Sequence, residues 1–131
     1  MKLITSVSFN KKLPLIIVPV TIKRGNKIWD LKFAVDTGAT VSLVDIDAMS
    51  KIGYQKNESI RTTQTLTASK IETVYEFKID SIKAIELLRN NFNVFARSLP
   101  IGLGIDGLLG LNFFKNKELT IDFKSSEIRI K

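Results

Sequence analysis

The sequence predicts an all-β protein, and three observations support this prediction. Val18–Lys23 alternates between apolar and polar residues, which is typical of a strand with one buried face. Gly25-Asn26 separates this run from a second strand-like run, Ile28–Val35, and is a common two-residue hairpin connection. The segment Ile60–Ile79 is rich in threonine and alternates again, which predicts a long hairpin.

Length and composition limit the chemistry that this chain can perform. A chain of 131 residues with 44% apolar residues can bury one hydrophobic core, so we expect a single domain over residues 1–131. The sequence contains no cysteine and no histidine. This excludes disulfides, Ser-His-Asp and Cys-His catalysis, and the usual zinc ligand sets. An enzyme with this composition would use carboxylates, lysines and hydroxyls, and we predict no metal and no cofactor.

The middle of the chain predicts one short helix. Val41–Val44 continues the β pattern as a short apolar strand. Asp45 has the character of a helix N-cap, because its carboxylate can accept a hydrogen bond from an unpaired backbone N–H in the first turn. The predicted helix is Ile46–Ile52, and Gly53 is the expected C-terminal stop.

The rest of the chain returns to the β pattern, without a linker or an internal repeat. The tip of the long hairpin is expected at Thr67–Lys70. The further predicted elements are strands Ile82–Leu88 and Phe92–Ala96 with a turn at Arg89-Asn90-Asn91 between them, a loop at Pro100–Gly104, one helical turn within Leu111–Lys117, and closing strands Glu118–Phe123 and Ile128–Lys131.

The apolar run Leu13–Val20 follows two lysines and could be mistaken for a signal peptide. It contains two prolines and no small-residue cleavage site, so we interpret it as part of a β-strand. No run reaches the ~18 apolar residues that a membrane-spanning helix needs. We therefore predict no membrane span and a cytoplasmic location.

The net charge is +7, which raises the question of an acidic partner. The lysines are scattered singly between apolar residues, and no basic and aromatic residues interleave. We therefore expect no nucleic-acid partner. A basic β-domain that binds nucleic acid is the alternative, and competition of binding by salt would test it.

The strongest chemical signal is the triplet Asp36-Thr37-Gly38, which directly follows the strand Ile28–Val35. A strand that ends in a carboxylate, a hydroxyl and a glycine delivers an acid to a tight turn. A second element, Leu108-Leu109-Gly110, begins seventy-two residues after Asp36 and is followed by further large apolar residues.

These two segments resemble the motifs of the retropepsin-like aspartic proteases. Phe33–Thr40 is similar to the first family motif, and Asp106–Leu111 is similar to the second. The resemblance extends from about Pro14 to Ile130. It implies a closed, barrel-like retropepsin fold with a flap hairpin and one or two short helices. It also implies an aspartic endopeptidase that acts on a peptide or protein substrate.

The resemblance assigns catalytic roles to the triplet. Asp36 would supply the carboxylate that activates water together with a second aspartate. Thr37 would hydrogen-bond across the pair and hold the two loops, and Gly38 would let backbone and substrate approach the acids closely. Ala39 would complete the turn and border the substrate.

The resemblance also assigns supporting and covering residues. Leu108, Leu109 and Gly110 would pack beneath the Asp36 loop and maintain its geometry. Asp106 lacks a following hydroxyl and lies where the family often has a polar residue, so we do not expect it to be the second acid. The hairpin tip would be the flap over the substrate, formed by Thr67, Ala68, Ser69 and Lys70. The family usually has a glycine near this tip, whereas this chain has none between Gly53 and Gly102.

One triplet per chain implies a homodimer with the acid pair on its two-fold axis. We expect the dimer interface to be formed by Met1–Phe9 and Glu127–Lys131, in which apolar and polar residues alternate. Without such an interface the last strand would leave an open sheet edge. Two copies would carry a net charge of +14 together. Because low salt screens the repulsion between them less, we expect low salt to weaken the dimer. The alternative function is a catalytically idle dimer of the same fold that binds peptides.

Overall fold

The computed structural model describes residues 3–66, 68–100 and 102–131. Within these ranges the chain forms mainly β-strands, so the all-β prediction is confirmed. The elements are β1 Thr5–Ser8, β2 Ile17–Arg24, β3 Lys27–Val35, β4 Leu43–Asp45, α1 Ile46–Ile52, a 3₁₀ turn Lys56–Glu58, β5 Arg61–Leu66, β6 Ile71–Ala84, β7 Leu87–Arg97, β8 Gly107–Leu109, a 3₁₀ turn Leu111–Phe114, β9 Leu119–Asp122 and β10 Glu127–Ile130.

Six strands close into a mixed barrel, which confirms the predicted closed architecture. Their order is β2, β3, β8, β4, β7 and β6, and pairing between β2 and β6 completes the ring. The residues of β2 that face the interior, Val18, Val20 and Ile22, are at most 1% exposed. Burial of each such side chain contributes about 1.5–3 kcal/mol to folding. This interior row explains the alternation that is visible in the sequence.

The short strand β8 determines where the site lies, because it inserts between β3 and β4. It runs parallel to β3, with Leu109 opposite Val35, and antiparallel to β4, with Leu108 opposite Leu43. Gly107 is required at this crossing, since a Cβ there would lie 2.5 Å from two ring carbons of Phe33. The segments that the sequence separates by seventy residues are therefore neighbouring strands.

The predicted helix is confirmed at both ends. The Asp45 side chain accepts a hydrogen bond from the Asp47 backbone N–H, as an N-cap should. Gly53 ends the helix with a φ of 99°, a left-handed conformation that favours glycine. Met49 and Ile52 face the core. In the described part of the chain, no helix has both the length and the apolar character to cross a membrane.

The predicted turn at Arg89-Asn90-Asn91 is wrong. The chain turns earlier, at Ile85 and Glu86, which have φ values of 53° and 59°. Tertiary contacts explain this position, because the Ile85 side chain is buried and its carbonyl accepts a hydrogen bond from Thr5 Oγ1 at 2.7 Å. Residue Asn91 takes a φ of 50° within the continuous strand β7, which asparagine tolerates better than most residues.

The two ends of the described chain form a separate three-stranded sheet. Strand β10 lies in its centre and pairs with β1 on one side and β9 on the other. The expectation that the last strand has an open edge within a single chain is therefore wrong, because β1 of the same chain pairs with it. That residues 1–9 and 127–131 form a dimer interface stays a prediction. The outer strands of this sheet are β1 and β9.

Candidate active site

Asp36 lies at the end of β3, where β8 holds its backbone. The Asp36 N–H donates to the Leu109 carbonyl at 2.9 Å, which extends the β3–β8 pairing by one residue beyond Val35. The side chain of Asp36 is half-buried. Since β3 and β8 are both part of the closed barrel, the carboxylate is carried by a rigid element.

The triplet forms a tight turn that orients the Asp36 carboxylate. The Ala39 N–H donates to the Asp36 carbonyl at 3.2 Å, and the Gly38 N–H donates to Asp36 Oδ1 at 3.0 Å. A Cβ at Gly38 would lie 3.2 Å from the same oxygen, which is closer than nine in ten real contacts of this kind. Glycine therefore allows the backbone donor to reach the carboxylate.

Thr37 and Gly38 form the exposed part of this turn. The Thr37 hydroxyl makes no hydrogen bond with any residue that the structure describes. The turn therefore presents a half-buried carboxylate and an exposed hydroxyl on one loop.

The Leu-Leu-Gly element packs against the Asp36 turn, as the resemblance implies. Leu109 is fully buried, whereas Leu108 is half-buried. Leu111 donates its N–H to the Ala39 carbonyl at 2.8 Å, so the chain after Gly110 is tied to the end of the turn. A Cβ on Gly110 would collide with the Val41 backbone and lie 2.8 Å from the Ala39 carbonyl oxygen.

A buried polar network, which was not predicted from the sequence, supports the segments on either side of the Asp36 turn site. Ser42 is fully buried, and both its N–H and its hydroxyl donate to Asn112 Oδ1, at 2.8 and 2.7 Å. The Gly110 N–H in turn donates to Ser42 Oγ at 3.0 Å. Asn112 Nδ2 then donates to the Asn93 carbonyl at 3.1 Å, which connects the network to β7.

The sequence contained one signal for this network. Ser42 is the only polar residue in the apolar run Val41–Val44, and a buried hydroxyl needs hydrogen-bond partners. The sequence does not indicate which residue is the partner, because Asn112 lies seventy residues away.

Asp106 has a structural role in the described geometry. Its carboxylate accepts a hydrogen bond from the Lys32 N–H at 2.9 Å, and its own N–H donates to the Lys32 carbonyl at 2.7 Å. These bonds attach the loop before β8 to the middle of β3. That Asp106 is not a second acid of the site stays a prediction.

Residues 18–113 match the family model described as aspartyl protease. The chain belongs to the aspartyl protease family. No curated protein matches its sequence. Among solved structures, the chain is similar to a retropepsin-like aspartic protease from Rickettsia conorii, with a TM-score of 0.70 at 20% identity over 98% of this chain and 99% of that one.

A second similar structure is the retroviral protease-like domain of Ddi1 from Leishmania major. The TM-score is 0.61 at 18% identity, and the match covers 84% of this chain and 82% of that one. At these identities the likeness shows the fold, so this aspartyl protease family member has a retropepsin-like fold.

The predicted hairpin of this aspartyl protease family member is confirmed, and its role as a flap stays a prediction. Strand β5 pairs with β6, and all six residues of β5 are exposed. Ala68, Ser69 and Lys70 are exposed at the tip, and Lys70 Nζ lies 3.5 Å from Glu72 Oε1. Thr67, which was also predicted to bind substrate, lies outside the described residues.

The acidic side chains of this family member do not assemble a metal site in the part of the chain that the structure describes. No group of three or more aspartates and glutamates is close enough there to hold a metal ion. The chemistry that the turn itself can supply is that of one oriented carboxylate with a neighbouring hydroxyl.

Proposed function

We propose that this protein is an aspartic endopeptidase whose catalytic pair consists of Asp36 from each of two copies. The observation that carries the proposal is the turn itself. Its carboxylate is half-buried, oriented by the Gly38 N–H and fixed to the barrel through Leu109. Membership of the aspartyl protease family supports the same reaction class.

The second acid has to come from another copy of the chain. Asp-Thr-Gly occurs once in the sequence, and the carboxylate of Asp106 is already bonded to the β3 backbone. A two-fold axis that passes beside Asp36 would bring two identical turns together in one closed dimer. The exposed Thr37 hydroxyl would then be available to hydrogen-bond to the turn of the partner copy.

Two carboxylates in contact share one proton, because like charges at short range oppose the ionisation of both. The ionised Asp36 takes a proton from a water molecule whose oxygen bonds to the scissile carbonyl carbon. The protonated Asp36 gives its proton to the carbonyl oxygen. The tetrahedral diol then collapses: one of its hydroxyl groups returns a proton to the ionised member of the pair, the C–N bond breaks, and the leaving nitrogen takes the proton of the other member.

The β5–β6 hairpin would cover an extended peptide that lies above the two turns. Its six exposed β5 residues and its exposed tip at Ala68, Ser69 and Lys70 support this role, and Thr67 belongs to the same proposed cover. Ala39 leaves room beside the carboxylate for the peptide backbone. Leu108, Leu109 and Gly110 keep the turn in place and take no part in proton transfer.

Cleavage of a peptide library by wild type, Asp36→Asn and Asp47→Asn tests this proposal. Asp47 is an exposed aspartate at the start of α1, so it is a matched control for the loss of one carboxylate. We expect cleavage by wild type and Asp47→Asn and none by Asp36→Asn. Equal cleavage by wild type and Asp36→Asn would overturn the protease function.

The alternative, a catalytically idle dimer that binds peptides, predicts a different result. None of the three proteins would cleave, yet all three would retain a saturable affinity for members of the library. The intact Asp36, Thr37 and Gly38 favour catalysis, because a binding module needs no such triplet.

A further inference from the structure

A second candidate site lies at the mouth of the barrel, at the opposite end of β3 from Asp36. Along β3, Phe33, Leu31 and Trp29 point to the interior on alternate positions, and Lys27 is the next residue in this row. The row therefore changes from apolar to cationic where the barrel opens. Nine residues of strand span about 30 Å, so this end is remote from the Asp36 turn.

The mouth contains an open cavity of about 560 Å³. Ligand cavities in proteins usually measure about 300–1,000 Å³, and barrel mouths are a common location for them. The lining comes from the β2–β3 hairpin, from the end of α1 and from β6: Arg24, Gly25, Asn26, Lys27, Trp29, Lys51, Ile52, Gly53 and Asp80.

Interactions between different elements hold the walls of this cavity. Arg24 donates to the Gly53 carbonyl at the end of α1 and forms an ion pair with Glu58 at 2.6 Å. Its guanidinium also lies over the Tyr54 ring, 4.3 Å from the centroid. On the hairpin side, the Gly25 N–H donates to Asp80 Oδ2 at 2.7 Å. The cavity is therefore preformed.

The lining has an excess of positive charge. It contains the cations Arg24, Lys27 and Lys51 and the carboxylate of Asp80. Arg24 is already paired with Glu58, whereas neither lysine forms an ion pair with a residue that the structure describes. Lys27 and Lys51 are exposed, so both ammonium groups can reach an anion in the cavity.

The apolar part of the lining includes the only tryptophan of the chain. Trp29 is half-buried, so part of its indole borders the cavity. It lies two positions from Lys27 on the same face of β3. Indole rings stack on planar aromatic groups, and the bases of nucleotides commonly stack on aromatic side chains in this way.

We propose that this cavity binds a small organic phosphate that carries a planar ring, of which a nucleoside monophosphate is the simplest example. Lys27 and Lys51 bind the phosphate, and Trp29 packs against the ring. Asp80 lines the same cavity and is an acceptor for a hydroxyl or amino group of the ligand. This proposal does not depend on protease activity.

Titration with adenosine 5′-monophosphate, followed by Trp29 fluorescence and by calorimetry, tests the proposal. Because Trp29 is the only tryptophan, the tryptophan emission comes from a residue that lines this cavity. We expect a saturable change with the monophosphate, and weaker binding of adenosine and of inorganic phosphate, since each lacks one of the two recognised groups. No saturable binding, or equal affinity for all three probes, would overturn the proposal.

A pair of double variants locates the binding. Lys27→Gln/Lys51→Gln removes both lysines that line the cavity, and Lys11→Gln/Lys12→Gln removes the same charge elsewhere. We expect the first to weaken binding about fivefold to tenfold and the second to leave it unchanged. Equal losses in both would assign the binding to net charge and overturn the site. Thermal unfolding of both variants checks that the fold is retained.

Discussion

The backbone N–H of Gly110 donates to the buried hydroxyl of Ser42 at 3.0 Å, and this bond joins the two halves of the Asp36 support. Ser42 belongs to the segment after the Asp36 turn, and Gly110 ends the Leu-Leu-Gly element. The Ser42 hydroxyl in turn donates a hydrogen bond to Asn112 Oδ1 at 2.7 Å, so a single hydroxyl connects both segments to the 3₁₀ turn that follows β8.

We expect Ser42→Ala to lower the free energy of unfolding by about 1–3 kcal/mol, because the Gly110 N–H loses its partner in a buried position. Urea unfolding followed by circular dichroism measures the change. Ser50→Ala, an exposed serine on α1, is the matched control and should have little effect. A loss of the same size in both variants would contradict a special role for the Ser42 hydroxyl.

Gly110→Ala should displace the Asp36 turn, since the new methyl group would collide with the Val41 backbone. We expect a loss of about 1–3 kcal/mol in unfolding free energy, as is usual for overpacked sites, and a larger proportional loss of peptide cleavage. Leu111→Ala, at the exposed neighbouring position, is the control. Unchanged cleavage by Gly110→Ala would show that the turn tolerates the shift.

Mixing wild type with Asp36→Asn tests the shared site. If the two chains pair at random, an equal amount of the variant leaves about half of the activity of the wild-type chains, because mixed dimers lack one acid. The same addition of Asp47→Asn should increase total cleavage. Wild-type activity that does not respond to Asp36→Asn would indicate that each chain works alone.

Protonation of Asp122 in acid should destabilise the three-stranded sheet formed by β1, β10 and β9. Hydrogen bonds from the Ser125 backbone N–H, and then from Arg129, lower the pKa of Asp122 from 3.8 to about 2. A carboxylate with a lowered pKa contributes stability that is present above 3.8 and is lost as the pH falls through about 2. This acid-dependent contribution should be absent in Asp122→Asn.

Urea unfolding across this pH range measures the effect. The difference in unfolding free energy between wild type and Asp122→Asn should be largest near neutral pH and should shrink toward pH 2. Asp30→Asn, which removes one exposed carboxylate on β3, corrects for the general loss of a negative charge. A difference that stays constant with pH would contradict the role of these hydrogen bonds.

Some structural errors of the sequence-based prediction have a common physical cause. The Asn90-Asn91 pair is a good local turn signal, yet the chain turns at Ile85 and Glu86, where burial of Ile85 and its bond from Thr5 outweigh local preference. The last strand, which was expected to have an open edge unless a second copy covered it, is paired with β1 of the same chain. Both results depend on contacts between residues about eighty or more positions apart.

Local patterns were sufficient for the elements whose stabilising groups are close in sequence. The Gly25-Asn26 hairpin, the Asp45 cap and the Gly53 helix end follow from turn and capping chemistry within a few residues. The position of Asp36 at a strand end follows in the same way, and the two motifs together indicated the family.

The tertiary structure alone decided how these parts support one another. Insertion of β8 beside β3 places the Leu109 carbonyl against the Asp36 N–H, and closure of the barrel joins Ser42 to Asn112. It also gathers Lys27, Trp29 and Lys51 around one cavity. The sequence does not indicate which distant residue a buried hydroxyl or a cavity-lining lysine will contact, because strand register and packing determine the partner.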